Sequence, residues 1–73
     1  MVFMNKYTVI RKLLNSQYSN FIVVTKGSTQ LFPGATHYNF GLNTVTIYSM
    51  DNDYNNYSIT FDYSNILTIK AAN

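Results

Sequence analysis

Two segments in the second half of the chain alternate strictly between apolar and polar side chains. In residues 44–50, Val45 and Ile47 alternate with Thr44 and Thr46, and in residues 57–63 four large apolar or aromatic side chains alternate with short polar ones. A period of two buries one face of a strand and leaves the other in water. Residues 51–56 between them are polar turn formers. The pattern therefore predicts an antiparallel hairpin of strands 44–50 and 57–63.

Three further segments have the composition and length of strands. Residues 20–26 are rich in β-branched side chains, and the strand pattern stops at the segment Lys26-Gly27-Ser28. Residues 29–32 can pair back on that strand before Pro33–Gly34 turns the chain. After a short polar break, residues 66–70 are predicted as the last strand.

The N-terminal segment has the spacing of an amphipathic helix over about residues 4–15, with Asn5 as its N-cap. Basic side chains fall mainly away from the apolar stripe. The stripe predicted to be buried comprises Phe3, Tyr7, Ile10 and Leu14.

These elements predict a mainly β fold: a small, strongly bent antiparallel sheet or barrel of about five strands, with one N-terminal helix. A chain of 73 residues without cysteine forms a single domain, here residues 1–73, near the size at which a hydrophobic core alone suffices. Small domains often gain stability by self-association, so we expect a homo-oligomer.

The order of these segments resembles the layout of Sm-like (Hfq-type) barrels over about residues 4–70. The resemblance is carried by Phe21–Val24 with Lys26–Gly27, by Gly34 and Tyr38–Phe40, and by Phe61–Ile66. It implies a small β-barrel architecture. The basic and His cluster that these proteins carry before the last strand is replaced here by Asp62–Asn65, so the resemblance extends to architecture and not to uridine binding.

Side chains for catalysis are scarce. The chain has no Cys and no Glu, one His and three acidic residues, all Asp, whereas most enzymes need a positioned nucleophile, an acid/base pair or a metal site. Asp51, Asp53, Asn55 and Asp62 have an EF-hand-like spacing, but the Gly and the final Glu are missing. His37 could be a ligand or a base, although a lone loop His is usually only exposed. We therefore predict no enzyme, no cofactor and no metal.

Seven tyrosines favour a recognition surface, because a Tyr ring offers a large contact area at low entropic cost. Parity with Ile59 and Phe61 assigns Tyr57 and Tyr63 to the core. The predicted contact surface consists of Tyr38, Tyr48, Asn52, Tyr54, Asn55 and Asn56. Its low charge suits a protein partner. A small binder of this kind would suit a phage or mobile-element protein that inhibits or redirects a host factor.

Two other classes remain open. An oligomeric Sm-like barrel could bind RNA or single-stranded nucleic acid, with tyrosines stacking on bases and Lys6, Arg11, Lys12 and Lys26 contacting phosphates. A net charge of +2 is small for this, and a ring of protomers would multiply it. A nucleotide or small molecule could also bind at a subunit interface.

The N-terminus carries no targeting pattern, because Lys6, Arg11 and Lys12 interrupt its apolar residues. No apolar run approaches the ~18–20 residues of a membrane span. We therefore expect a cytoplasmic protein that makes no membrane contact.

Overall fold

A helix and two three-stranded antiparallel sheets make up the fold in the computed structural model, which describes residues 4–72. The strand orders are β2-β1-β6 and β3-β4-β5. The elements are α1 (Lys6–Ser16), β1 (Phe21–Thr25), β2 (Thr29–Phe32), β3 (His37–Phe40), β4 (Thr44–Met50), β5 (Asn56–Asp62) and β6 (Ile66–Ala71), with a 3-10 turn at Tyr63–Asn65.

The mainly β class with one N-terminal helix is confirmed, and two details of the prediction are corrected. The described residues form six strands and not about five, and the two sheets do not close into one barrel. The additional strand is β3, which runs antiparallel to β4 from His37 opposite Tyr48 to Phe40 opposite Val45. Antiparallel pairing with β4 stabilises it, and this long-range contact is not visible in residues 37–40 by themselves.

The hairpin β4–β5 forms as the alternation predicts. Val45 lies opposite Phe61 and Ile47 opposite Ile59, so the apolar positions of both strands share the inner face. β5 begins and ends one residue earlier than the predicted strand 57–63, because Tyr63 begins the 3-10 turn.

The helix buries the predicted stripe only in part: Ile10 packs against the core, but the fully buried positions lie beside the stripe. Val9 and Leu13 are fully buried, whereas Tyr7 is 80% exposed and Leu14 53% exposed; Phe3 lies outside the described residues. Both stripes are apolar, but a buried Tyr7 hydroxyl would need a hydrogen-bond partner in the core, and Val9 and Leu13 need none. The predicted cap is present, since the Asn5 side chain accepts a hydrogen bond from the Thr8 backbone N–H at 2.9 Å.

Aromatic rings join the two sheets in the core. Phe21 stacks on Phe32 with ring centroids 5.1 Å apart, and Phe32 meets Phe61 edge-on at 6.2 Å. Tyr63 is 7% exposed and Tyr57 is half-buried against this core, as their parity predicted. Such aromatic contacts contribute beyond the area that they bury.

The one helix in residues 4–72 does not reach the length and apolarity that crossing a bilayer would require.

Candidate binding surface

The sheet β3-β4-β5 turns a polar face away from the core, and we call this the outer face. Side chains alternate between the two faces of β4 and β5, so the odd-numbered residues face the core and the even-numbered residues lie on the other face. Hydroxyl and amide groups dominate it. The outer face comprises His37, Asn39, Thr44, Thr46, Tyr48, Met50, Asn56, Ser58, Thr60 and Asp62.

An aromatic pair lies on the outer face where β3 meets β4. The rings of His37 and Tyr48 stack with centroids 4.0 Å apart and planes within 8°. They border an open concavity of about 470 Å³ that Asn56 and Ser58 also line. Tyr48 therefore points outward, as predicted, with its ring stacked on that of His37. The sequence predicts His37 as a loop residue that could be a ligand or a base. It does not predict this stack, because only the strand register pairs residues 37 and 48.

Two threonine hydroxyls occupy the centre of the outer face. Thr46 and Thr60 lie directly opposite each other, and their Oγ1 atoms are 2.8 Å apart in a hydrogen bond. Cross-strand pairs of this kind fix side-chain rotamers on the sheet. The outer face thus presents ordered donors and acceptors with almost no formal charge.

The β4–β5 loop, residues 51–55, adjoins the outer face and is ordered by one carboxylate. Asp51 Oδ1 accepts hydrogen bonds from the backbone N–H groups of Asp53, at 2.8 Å, and Asn55, at 2.9 Å. The Asp51 backbone N–H also donates to the Asn55 carbonyl at 3.0 Å. These bonds, above all the one from the Asn55 backbone, lower the pKa of Asp51, because they favour its ionised form.

Tyr54 stands at the tip of this loop. Its side chain is 83% exposed, and its backbone adopts the left-handed conformation with φ of 63°. Asn52, Asn55 and Asn56 are exposed around it. Four of the six predicted contact residues therefore lie together in or beside the loop, and Tyr48 lies on the adjoining outer face.

Tyr38, the sixth predicted contact residue, is less exposed than expected, because only part of its ring reaches the surface. It lies on the inner side of β3, half-buried, with its hydroxyl donating to the Leu13 carbonyl at 2.6 Å. Burial raises its pKa to about 12. The alternation of His37, Tyr38, Asn39 and Phe40 carried the signal, since Tyr38 shares its parity with apolar Phe40.

The acidic residues do not converge. Asp51 and Asp53 lie at one end of β5 and Asp62 at the other, which separates them by about 20 Å at the usual rise per strand residue. Within residues 4–72, no three His or Asp side chains lie close enough together to hold a metal ion. The EF-hand-like spacing is therefore a feature of the sequence alone.

The cations named for nucleic-acid binding lie on two different elements. Lys6 donates its ammonium to the Leu42 carbonyl at 3.1 Å and lies 5.3 Å from the centre of the Tyr63 ring. Arg11 and Lys12 are exposed on α1, and Lys26 lies in the turn between β1 and β2. At least Lys6 is thus already engaged within the fold.

No protein family, no curated protein and no solved structure matches this chain. We therefore infer its function from the geometry of the β4–β5 loop and the outer face.

Proposed function

We propose that this protein is a non-enzymatic binding module that recognises a protein partner through the β4–β5 loop and the outer face. The observation that carries the proposal is Tyr54, an 83% exposed aromatic side chain held in a left-handed backbone conformation. That conformation costs an L-residue other than Gly about 1–2 kcal/mol. Strain of this kind concentrates at functional sites.

The loop itself does not need a tyrosine at this position. Gly adopts a positive φ without steric cost, and Asn tolerates it well. The hydrogen bonds that order the loop involve the side chain of Asp51 and backbone groups. The Tyr54 ring therefore adds nothing to loop geometry, but it offers the kind of aromatic area that anchors protein interfaces.

The outer face suits the same kind of partner. The stacked rings of His37 and Tyr48 supply aromatic contact area, and the hydrogen-bonded hydroxyls of Thr46 and Thr60 supply ordered polar groups. Interfaces with aromatic anchors and few charges bind proteins with little dependence on salt. We place the partner among the proteins of a host cell, with this chain acting as a phage or mobile-element protein that inhibits or redirects it.

A photo-crosslinking amino acid at position 54 tests the proposal in the cells that carry this gene. We expect one polypeptide to be crosslinked from position 54 and not from position 29, which is exposed on β2. A nuclease-sensitive adduct at position 54 would instead support the nucleic-acid alternative. Native mass spectrometry of the purified complex gives the stoichiometry and shows whether the chain self-associates.

Substitutions at the same residue separate binding from folding. Tyr54→Asn should weaken binding of the crosslinked partner by about tenfold or more, a typical effect of losing an aromatic anchor. Its melting temperature should not fall, because Asn accepts the left-handed backbone. Tyr54→Phe keeps the ring and should retain most of the affinity. Equal binding by all three proteins would contradict the proposal.

A further inference from the structure

A second exposed surface lies on α1 and shares no residue with the loop or the outer face. Tyr7, Arg11, Leu14 and Tyr18 follow the spacing i, i+4, i+7 and i+11, which places them on one side of a helix. Tyr18 follows the helix end, and Gln17 before it keeps helical backbone angles of −52° and −42°. We call these four residues the helix stripe.

The helix stripe takes no part in the core. Tyr7 is 80% exposed, Leu14 53% and Tyr18 89%, whereas Val9 and Leu13 on the other side of α1 are fully buried. The fold is therefore complete without these large side chains. Two aromatic rings and a leucine flanking an arginine have the composition of interface anchors.

The surroundings of the helix stripe are positively charged. Arg11 and Lys12 are exposed on α1, and Lys70 of β6 lines a concavity together with Lys12, Asn15 and Ser16. Residues 4–50 contain no acidic side chain, and all three carboxylates of the chain lie in or next to β5. Asp62 lines a concavity with Lys6 at the N-terminal end of α1, so the positive field is strongest along the C-terminal half of the helix, at Arg11, Lys12 and Lys70.

We propose that the helix stripe docks an acidic amphipathic helix of a protein partner. The stripe runs for about three turns, roughly 16 Å, which is the length over which two helices pack by ridges and grooves. Apolar residues of the incoming helix would contact Tyr7, Leu14 and Tyr18. Its carboxylates would pair with Arg11 within the stripe, and Lys12 and Lys70 on the adjoining side of α1 would add longer-range attraction. This goes beyond the function proposed above, because it uses a separate surface.

Charge and area disfavour the other occupants. A second copy docked stripe to stripe would place the two Arg11 side chains near each other without a carboxylate between them. Three cations are few for duplex binding, which typically neutralises about 6–10 phosphates. The buried Val9 and Leu13 leave little apolar area for a bilayer.

Fluorescence anisotropy with labelled model peptides tests the proposal on the intact protein. The probe is an amphipathic helical peptide with leucines at i, i+3, i+4 and i+7 and glutamates elsewhere, and its control replaces every Glu with Lys. We expect the Glu peptide to bind with at least about tenfold lower Kd than the Lys peptide, and its Kd to rise with salt.

Three variants identify the surface. Arg11→Glu with Lys12→Glu should reverse the preference toward the Lys peptide, and Leu14→Ser should raise the Kd of the Glu peptide by about tenfold. Both affect exposed side chains, so the melting temperature should stay unchanged. Tyr54→Asn should leave the Kd of the peptide unchanged, which separates this test from that of the proposed function.

Equal binding of both peptides, or a charge reversal without effect on the peptide preference, would overturn the proposal. Dimerisation in sedimentation that Leu14→Ser abolishes would overturn it in favour of a second copy. Tighter binding of phosphatidylserine vesicles or oligo(dT) than of the Glu peptide at the same stripe would also overturn it.

Discussion

At the scale of single residues, tyrosines occupy opposite environments in this protein. Tyr38 is half-buried and its hydroxyl donates to a helix carbonyl, whereas Tyr54 is almost fully exposed at a loop tip. The same side chain therefore supports the fold in one place and is available for contact in the other. Burial, and not residue type, decides which role a tyrosine takes.

Alkaline pH should destabilise the protein through Tyr38. Its pKa is about 12 in the folded chain against an ordinary 10.0, so the unfolded state releases the phenol proton more readily. The stabilisation is fully present below pH 10 and is lost as the pH rises toward 12. Urea denaturation across this range should show a falling unfolding free energy.

Tyr38→Phe isolates this contribution. It should cost about 0.5–1.5 kcal/mol at neutral pH through the lost hydrogen bond to Leu13, and its stability should fall less steeply at alkaline pH. Part of the decline should remain, since burial also raises the pKa of Tyr63. An unchanged alkaline profile would show that Tyr38 does not titrate with unfolding.

Phe61→Ala should lower the unfolding free energy by about 3–5 kcal/mol, because it removes a core ring that meets Phe32. Ser58→Ala, on the exposed side of the same strand, is the matched control and should change stability little. A folded Phe61→Ala protein with an unchanged urea midpoint would contradict the register of β5.

At the scale of elements, the β4–β5 loop depends on a single carboxylate. Asp51→Ala should free residues 52–55 on the nanosecond timescale, because the Asp53 and Asn55 N–H groups lose their acceptor. Relaxation measurements by ¹⁵N NMR detect this change. Asp53→Ala removes the same charge but keeps the backbone donor, so its loop should stay ordered.

Acid should produce the same change in the unaltered protein. The pKa of Asp51 lies below its ordinary 3.8. The hydrogen bonds to its carboxylate therefore persist above pH 3.8 and are lost as the pH falls through the lowered pKa. If Asp51→Ala and Asp53→Ala gave equal loop mobility, charge and not hydrogen bonding would order the loop.

At the scale of the whole molecule, Gly34 joins the end of the helix to both sheets. Its φ is +132°, and a Cβ there would lie 3.2 Å from the Gln17 carbonyl oxygen. Its own carbonyl accepts from the buried Ser49 hydroxyl at 2.6 Å, and the next N–H, of Ala35, donates to Gln17 at 2.6 Å. Helix end, turn and β4 thus meet at this backbone.

Gly34→Ala should therefore destabilise the protein by about 1–3 kcal/mol, from strained backbone and a close contact. Gly27→Ala is the control, because a Cβ at position 27 meets nothing within 4 Å, and its effect should stay within about 1 kcal/mol. Thermal denaturation of the two variants measures the difference. Equal melting temperatures would mean that the junction tolerates a side chain.

Elements whose pattern is local can be predicted from the amino-acid sequence. The hairpin of β4 and β5 follows from a period of two on either side of a polar loop, and the Asn5 cap follows from a side chain that bonds three residues ahead. The exposure of Tyr54 follows in the same way, since it has no strand to join. Each of these depends only on neighbours along the chain.

Contacts between residues distant along the chain determine which side of α1 is buried and that His37 stacks on Tyr48. The core packs against Val9 and Leu13, and β4 lies opposite β3, so neither outcome follows from neighbours along the chain. The sheets stay separate for a similar reason, because strand closure depends on register across the whole molecule.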